Sequence, residues 1–129
     1  MAVLDRETGA DTVVNIVAEA EAGRVEALVP FIALMELEYQ LRRRYNERAA
    51  LQSLHSFLGW PVTVHESTPE WRTEAAILKA HGGLSVADAW IAALALLLDA
   101  ELVHKDPEFD KVRGLQALRL PYDRNQGGQ

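Results

Sequence analysis

Residues 86–98, VADAWIAALALLL, constrain the fold more than any other stretch, because they hold a single charged side chain, Asp88, among apolar ones. A helix of this composition is buried on most of its faces, as in the core of a globular domain. The run AWIAALALLL is ten residues long, far short of the about 20 that cross a bilayer. A lone carboxylate in such a helix needs a partner. We therefore predict that Asp88 has a structural or a functional role.

Two roles for Asp88 are open. Ser85 and Asp88 have the spacing of an S-x-x-D capping box, and an acid in the first turn of a helix is favoured by the helix dipole. An acid in this position also points toward the ends of neighbouring strands, where a site can form. A capping role therefore does not exclude a functional one.

The rest of the chain alternates helical patterns with short apolar runs. Helices are predicted over residues 11–22, from about 34 to 58, over 69–81 and from 85 to about 98, and strands over 26–33, 62–66, 100–104 and 115–120. This alternation predicts an α/β domain with a mostly parallel sheet. In such sheets a ligand site forms at the carboxyl ends of the strands.

Acidic residues occupy the positions where the predicted strands end. Asp106 follows one strand, and Glu36 is expected in the first turn of the helix after another. Glu38 competes with Glu36, because the two lie on different sides of a helix and periodicity does not show which one faces a site. Asp106, Glu108 and Asp110 cannot all point inward. The acid nearest the strand, Asp106, is the best candidate of the three.

The overall composition indicates one globular domain. A chain of 129 residues fits a single domain, which we assign to residues 1–121, followed by a disordered tail at 122–129. The chain has no cysteine, which excludes disulfides and cysteine-bound metals, and its amino terminus does not have the pattern of a signal peptide. We expect a cytoplasmic protein that does not contact a membrane.

The charge balance disfavours a protein that binds nucleic acid through a basic surface. Asp and Glu number 19 against 13 Lys and Arg, which gives a net charge of −6. An acidic cleft that handles RNA through metal ions remains open. The only dense basic run, Arg42 to Arg44, is interpreted as a solvated helix face. The histidines show no metal-ligand spacing and receive no catalytic role.

The chemistry that remains is that of carboxylates. The chain has no G-x-S-x-G, no P-loop and no glycine-rich dinucleotide turn. Two carboxylates about 4 Å apart repel each other by roughly 4 kcal/mol at an effective dielectric of about 20. Clustered acids therefore take up protons or bind a hard cation. Mg²⁺ or Mn²⁺ held by two or three carboxylates can hydrolyse phosphodiesters.

Three segments resemble the PIN domain of the VapC toxin type: LSVADAWIAALALLLDAELVHKDPEFDKV, ALMELEYQLRR upstream of it and LQALRLP at the end. In that family one acid follows the second strand on its helix, and Glu36 matches it. A second acid lies in an S/P-x-A-D-A-x-I-A pattern, matched by Asp88. A third lies in a T/H-x-D-x-x-F pattern, matched by Asp106 with Phe109. The resemblance covers roughly residues 7–121.

The resemblance implies a fold, a reaction and partners. The expected fold is a three-layer α/β/α sandwich with strand order 3-2-1-4-5. The expected activity is that of a Mg²⁺- or Mn²⁺-dependent endoribonuclease in which Glu36, Asp88 and Asp106 hold the metal and RNA is the substrate. Phe109 is expected to be buried as an anchor. A cognate VapB-type antitoxin and a homodimer are the expected partners. The alternative is a non-catalytic, degenerate PIN-like protein that binds an antitoxin or RNA without cleaving it.

The start of the chain departs from the family pattern. The family begins with a strand that ends in aspartate and continues into an apolar helix, whereas this chain has MAVLDRETGAD. We favour the alignment of ETGA with the turn after that helix, which leaves the first, central strand and its aspartate missing. The rival alignment makes MAVLD the strand and Asp5 the acid. Under the favoured alignment, residues 2–5 are only weakly attracted to the slot that the missing central strand leaves in the sheet. Asp5 then stays away from the other acids. Translation then starts upstream of Met1, or the protein is degenerate.

Overall fold

The computed structural model describes residues 2–4, 10–104, 109, 112–115 and 117–119. The predicted tail at 122–129 lies outside these residues. Strands and helices alternate along the described chain. The strands are β1 (Ala2–Leu4), β2 (Ala27–Pro30), β3 (Val62–His65), β4 (Glu101–His104) and β5 (Ala117–Arg119). The helices are α1 (Ala10–Glu21), α2 (Phe31–Arg44), α3 (Glu47–Leu58), α4 (Pro69–His81) and α5 (Val86–Leu97).

The strands form one sheet in the order β3-β2-β1-β4-β5, and each neighbouring pair is parallel. Parallel neighbours cannot be joined by a tight hairpin, and the helices between β1, β2, β3 and β4 serve as the crossover connections among these strands. The predicted parallel sheet and its strand order are confirmed.

The sheet is buried on both faces. Leu28 of β2 packs into a core with Trp71 of α4 and with the buried residues of α5. Ala27 and Val29, on either side of Leu28, pack into a second core with α1 and α3. This alternation is the period of two of a strand that lies between two layers. The three-layer α/β/α sandwich is therefore confirmed, and α2 contributes side chains to both cores.

Helix α5 is the buried helix that its composition predicts. Its buried residues are Ala89, Ile91, Ala92, Ala93, Leu94 and Ala95. They cover all sides of the helix, because α4, α2 and the sheet contact it. Of the helices in the described part of the chain, none is both long and apolar enough to cross a membrane.

The prediction that the central strand is missing was wrong. β1 lies in the central position and pairs with β2 on one side and β4 on the other, so that Val3 is opposite both Leu28 and Leu102. Even three residues of extended backbone offer hydrogen-bonding partners to both flanking strands, whose buried N–H and C=O groups would otherwise lack them. The expected weak attraction to this slot is therefore wrong for residues 2–4. Asp5 lies outside the described residues.

The single long helix predicted after β2 is two helices, and the first begins earlier than predicted. α2 starts at Phe31, directly after Pro30, whose backbone is extended (φ −67°, ψ 143°). Tyr45 and Asn46 separate α2 from α3, and the Asn46 side chain accepts a hydrogen bond from the Ala49 N–H at 2.8 Å. This cap starts a new helix within a continuous apolar stripe, so periodicity alone did not show the break.

The predicted ends of α4 and the start of α5 are confirmed. Thr68 Oγ1 accepts a hydrogen bond from the Trp71 N–H at 3.2 Å, and Pro69 takes the first helical position. α4 ends at His81 and is followed by Gly82, whose φ of +86° is favourable for glycine and strained for other residues. The chain turns there, and α5 packs along α4.

Candidate active site

The carboxyl ends of the parallel strands lie at one edge of the sheet, which we call the carboxyl edge. β1 ends there at Leu4, β2 at Pro30 and β4 at His104. α2 begins at this edge, because no residue separates it from β2. The far end of α5 joins the start of β4 through residues 98–100. The first turn of α5 therefore also lies at the carboxyl edge, since α5 is about 18 Å long and runs opposite to β4.

Asp88 lies in the first turn of α5, on a helix face that continues into the core. Ile91 and Ala92, one turn later, are 3% and 0% exposed. Side chains three and four residues apart share a helix face, and Asp88 itself is half-buried. It therefore extends the buried face of α5 to the carboxyl edge.

The start of α5 has the cap that the sequence predicts. Ser85 Oγ accepts a hydrogen bond from the Asp88 N–H at 3.1 Å, which satisfies one of the N–H groups without a partner inside the helix. The Asp88 carboxylate lies at the positive end of the helix dipole, where negative charge is stabilised. The cap uses the backbone of Asp88, so it does not compete with a ligand role for the carboxylate.

Glu36 and Glu38 of α2 have different surroundings. Glu38 accepts a hydrogen bond from Arg42 Nε at 2.8 Å, and both side chains are 39% exposed. Glu36 is half-buried and lies one turn after Ile32, which packs against the core that contains α5. Because α2 and α5 contact each other, Glu36 is the acid on the α5 side. α2 begins at Phe31, so Glu36 is in the second helical turn and its prediction in the first turn was wrong.

Three aromatic rings hold α2, α4 and α5 together beside these acids. Phe31 begins α2, Trp71 lies in the first turn of α4, and Trp90 follows Asp88 by two residues. The ring centroids are 5.0 to 5.5 Å apart, and each pair meets edge to face, a geometry that aromatic rings prefer. Trp71 Nε1 also donates a hydrogen bond to the Trp90 carbonyl oxygen at 2.7 Å. Sequence reasoning missed these rings, because their three segments share no local pattern.

Phe109 follows β4 in the sequence and is described by the structure. Its side chain is 1% exposed and belongs to the core that contains α5. The expectation that Phe109 is buried as an anchor is confirmed. Asp106 lies outside the described residues, as do Glu108, Asp110 and Asp5.

The two described acids of the predicted site, Glu36 and Asp88, have side chains of the type that hard cations prefer. Among the residues whose placement is described, no three His, Asp or Glu side chains lie close enough together to bind a metal ion. Two of the three predicted ligands, Glu36 and Asp88, belong to those residues, and Asp106 does not. Both are carboxylates, which Mg²⁺ and Mn²⁺ prefer over softer ligands. A ligand role for them remains a prediction.

A groove of about 400 Å³ lies on the Glu38 side of α2, between α2 and α3. Its apolar lining includes Met35, Leu54 and Leu58, of which Met35 and Leu58 are 50% and 51% exposed. Tyr39 also lines the groove. Exposed apolar side chains gathered in a groove are typical of a surface that contacts another protein.

Comparison with known proteins assigns the chain to a family and a fold. Residues 1–115 match the family described as PIN domain. No curated protein sequence matches the chain. VapBC2 from Rickettsia felis, bound to a DNA fragment from its promoter, has a similar structure, with a TM-score of 0.79 at 16% identity over 93% of this chain and 98% of that chain.

Two further structures share the fold. Mycobacterium tuberculosis VapC20, a sarcin-ricin loop cleaving toxin, gives a TM-score of 0.67 at 18% identity over 93% of this chain and 100% of that chain. A toxin-antitoxin complex from Klebsiella pneumoniae gives a TM-score of 0.62 at 16% identity over 95% of this chain and 99% of that chain. At such identities the likeness shows the fold alone.

Proposed function

Because the chain belongs to the PIN domain family, we propose that it is a metal-dependent endoribonuclease of the VapC toxin type, restrained by an antitoxin. Its substrate is RNA, and Glu36, Asp88 and Asp106 hold Mg²⁺ or Mn²⁺. One observation carries the proposal: Glu36 lies on α2 and Asp88 on α5, two helices that contact each other and whose first turns lie at the carboxyl edge. Parallel α/β sheets bind their ligands at this edge.

The central position of β1 adds Asp5 to the proposed site. β1 pairs on both sides and ends at Leu4, so Asp5 is the first residue beyond its carboxyl end. β4, which Asp106 follows in the sequence, is a direct neighbour of β1. Neighbouring strands lie about 4.8 Å apart. This spacing supports Asp5 as a fourth carboxylate, in place of the alignment that left it out.

The chain's own residues bind the cation and orient it. Glu36, Asp88 and their neighbours at the carboxyl edge would repel one another without a positive charge between them. When bound, the cation supplies charge that stabilises the phosphodiester oxygens and lowers the pKa of coordinated water. The Ser85 cap and the Trp90 ring contacts hold the first turns of α5 in place. They restrict the movement of Asp88, as a precise ligand requires.

The antitoxin is proposed from the toxin-antitoxin complexes that share the fold. The groove between α2 and α3 supports this part of the proposal, because its exposed Met35 and Leu58 suit the apolar face of an amphipathic helix. A homodimer is also proposed, since most soluble oligomers are symmetric assemblies of identical chains.

The test is RNA cleavage with Glu36 and Glu38 as a matched pair of acids on one helix. We expect the purified chain to cut RNA in Mg²⁺ or Mn²⁺ and to stop when a chelator is added. Glu36→Gln should lower kcat/KM by about a hundredfold or more, because it removes a charge that acts at the reacting phosphate. Glu38→Gln should stay within about threefold of the unmodified chain, because its partner is Arg42 at the surface.

Three outcomes would count against parts of this proposal. Equal losses in the two variants would contradict the assignment of Glu36 to the site. Cleavage that persists in the chelator would contradict metal dependence. A chain that binds RNA or an antitoxin but cuts no RNA would support the non-catalytic alternative.

A further inference from the structure

One face of α2 carries an aromatic and a basic side chain beside the proposed metal site. Glu36, Tyr39 and Arg43 are spaced by three and four residues, so their side chains share this face. Glu36 and Arg43 differ by about 20° around the helix and lie about 10 Å apart along its axis. Tyr39 is 41% exposed, and Arg43 is exposed.

Positive charge is concentrated at the end of α2 and the start of α3, although the chain is acidic overall. Four of its 13 Lys and Arg lie there, against a net charge of −6. Arg42 is occupied, since its Nε donates to Glu38 and its second nitrogen lies 3.8 Å from Glu47 Oε1. Within the part of the chain that the structure describes, Arg43 and Arg44 have no acidic side chain at ion-pair distance. Their charge is available to an anionic ligand.

A competing explanation is that these arginines only complement the helix dipole. Basic residues in a last turn do stabilise a helix in this way. That explanation treats Arg43 and Arg44 alike, because both lie in the last turn of α2. They point about 100° apart around the helix, and only Arg43 lies on the face of Glu36. The two explanations therefore predict different behaviour for this pair.

We propose that this face, the α2 track (Glu36, Tyr39 and Arg43), binds single-stranded RNA next to the phosphodiester that is cut. Tyr39 stacks on a base, and Arg43 binds a backbone phosphate. A single strand suits the track, because its unstacked bases are open to an aromatic ring, whereas bases in a duplex are stacked on one another. The inference rests on the proposed function, since Glu36 marks the place of the reaction.

The test measures RNA binding separately from cleavage. The full chain carrying Asp88→Asn, which the proposed function makes inactive, is titrated with a fluorescent single-stranded RNA of mixed sequence in Mg²⁺ buffer over a range of KCl. Arg43→Ala should weaken binding about fivefold or more and should lower the slope of log K against log [KCl] by about 0.7, the contribution of one phosphate contact. Arg44→Ala, its matched control, should change the Kd by less than about twofold.

Tyr39 gives a second, independent readout. Tyr39→Ala should weaken binding about fivefold or more, since it removes a stacking ring. The Tyr39→Phe variant should bind the single-stranded RNA as tightly as the chain with Tyr39, because stacking does not need the hydroxyl. A matching duplex RNA should be insensitive to both changes.

Several results would overturn the proposal. Equal effects of Arg43→Ala and Arg44→Ala would mean that the arginines act as a general positive end of the helix. No effect of Arg43→Ala, or no RNA binding at all, would also overturn it. If the chain cuts RNA but Arg43→Ala does not change RNA binding, the proposed function is supported and the α2 track is contradicted. If the chain binds RNA through Arg43 and Tyr39 but does not cut it, the α2 track is supported and the proposed activity is contradicted.

Discussion

At the residue scale, Asp88 has a backbone N–H that takes part in the cap of α5 and a carboxylate that we propose as a metal ligand. Its N–H donates to Ser85 Oγ, and its half-buried carboxylate lies at the carboxyl edge. The helix dipole favours a negative charge at this position. The Ser85 hydroxyl therefore stabilises the helix and the Asp88 carboxylate contributes charge to the proposed site. Removing either group should leave the contribution of the other in place.

We predict that Ser85→Ala and Asp88→Asn separate the capping role from the ligand role. Ser85→Ala removes the cap and should lower the free energy of unfolding by about 1 kcal/mol. It should keep the rise in melting temperature that Mn²⁺ produces by binding only the folded state. Asp88→Asn should abolish this rise while the protein stays folded. Melting temperatures recorded at increasing Mn²⁺ concentration check both expectations.

Circular dichroism of the two variants provides the control for folding. A rise of equal size in Asp88→Asn and in the unmodified chain would rule out Asp88 as a metal ligand. If Asp88→Asn does not fold, the carboxylate has a mainly structural role and the capping explanation gains.

At the element scale, the sequence predicted the helix ends that depend on neighbouring residues. Thr68, Ser85 and Gly82 act through short-range hydrogen bonds or through a positive φ. β1 was rejected in favour of the alignment on ETGA, because a strand of three residues has little local pattern and its position is set by pairing with β2 and β4. The break between α2 and α3 had a local signal, the Asn46 cap, which the continuous apolar stripe outweighed.

The central position of β1 predicts a large effect of proline at Val3. Val3 is opposite Leu28 on one side and Leu102 on the other, and proline removes the N–H that a central strand uses. Val3→Pro should therefore cost about 3 kcal/mol or more of unfolding free energy. Val3→Ala keeps the N–H and should cost clearly less. Urea unfolding followed by circular dichroism measures both.

If Val3→Pro and Val3→Ala are equally stable, backbone pairing of β1 contributes little to the sheet. The alignment that leaves the central strand out would then regain support, and Asp5 would lose its place in the proposed site.

At the scale of the whole molecule, the proposed site gathers acids at one edge of a chain that is already acidic, with a net charge of −6. The alternation of helices and strands predicted the sheet, and the family resemblance predicted its order, but the relative position of Glu36 and Asp88 depends on the packing of α2 against α5. A partner that covers this edge must bring positive charge, because burying the carboxylates without compensation is costly. An antitoxin segment that covers the carboxyl edge is therefore expected to carry positive charge.

We predict that the carboxyl-terminal segment of the antitoxin crosses the carboxyl edge and brings an arginine or lysine to Glu36, Asp88 and Asp106. Asp106→Lys should then weaken the complex by about 2–5 kcal/mol, the cost of disrupting a buried charge pair. Glu108→Lys, two residues away, changes the net charge equally but should cost about 1 kcal/mol or less, as exposed pairs do. The measurement is the Kd of each variant for the proposed antitoxin. Equal losses would mean that both acids share one exposed surface and that the antitoxin does not single out Asp106.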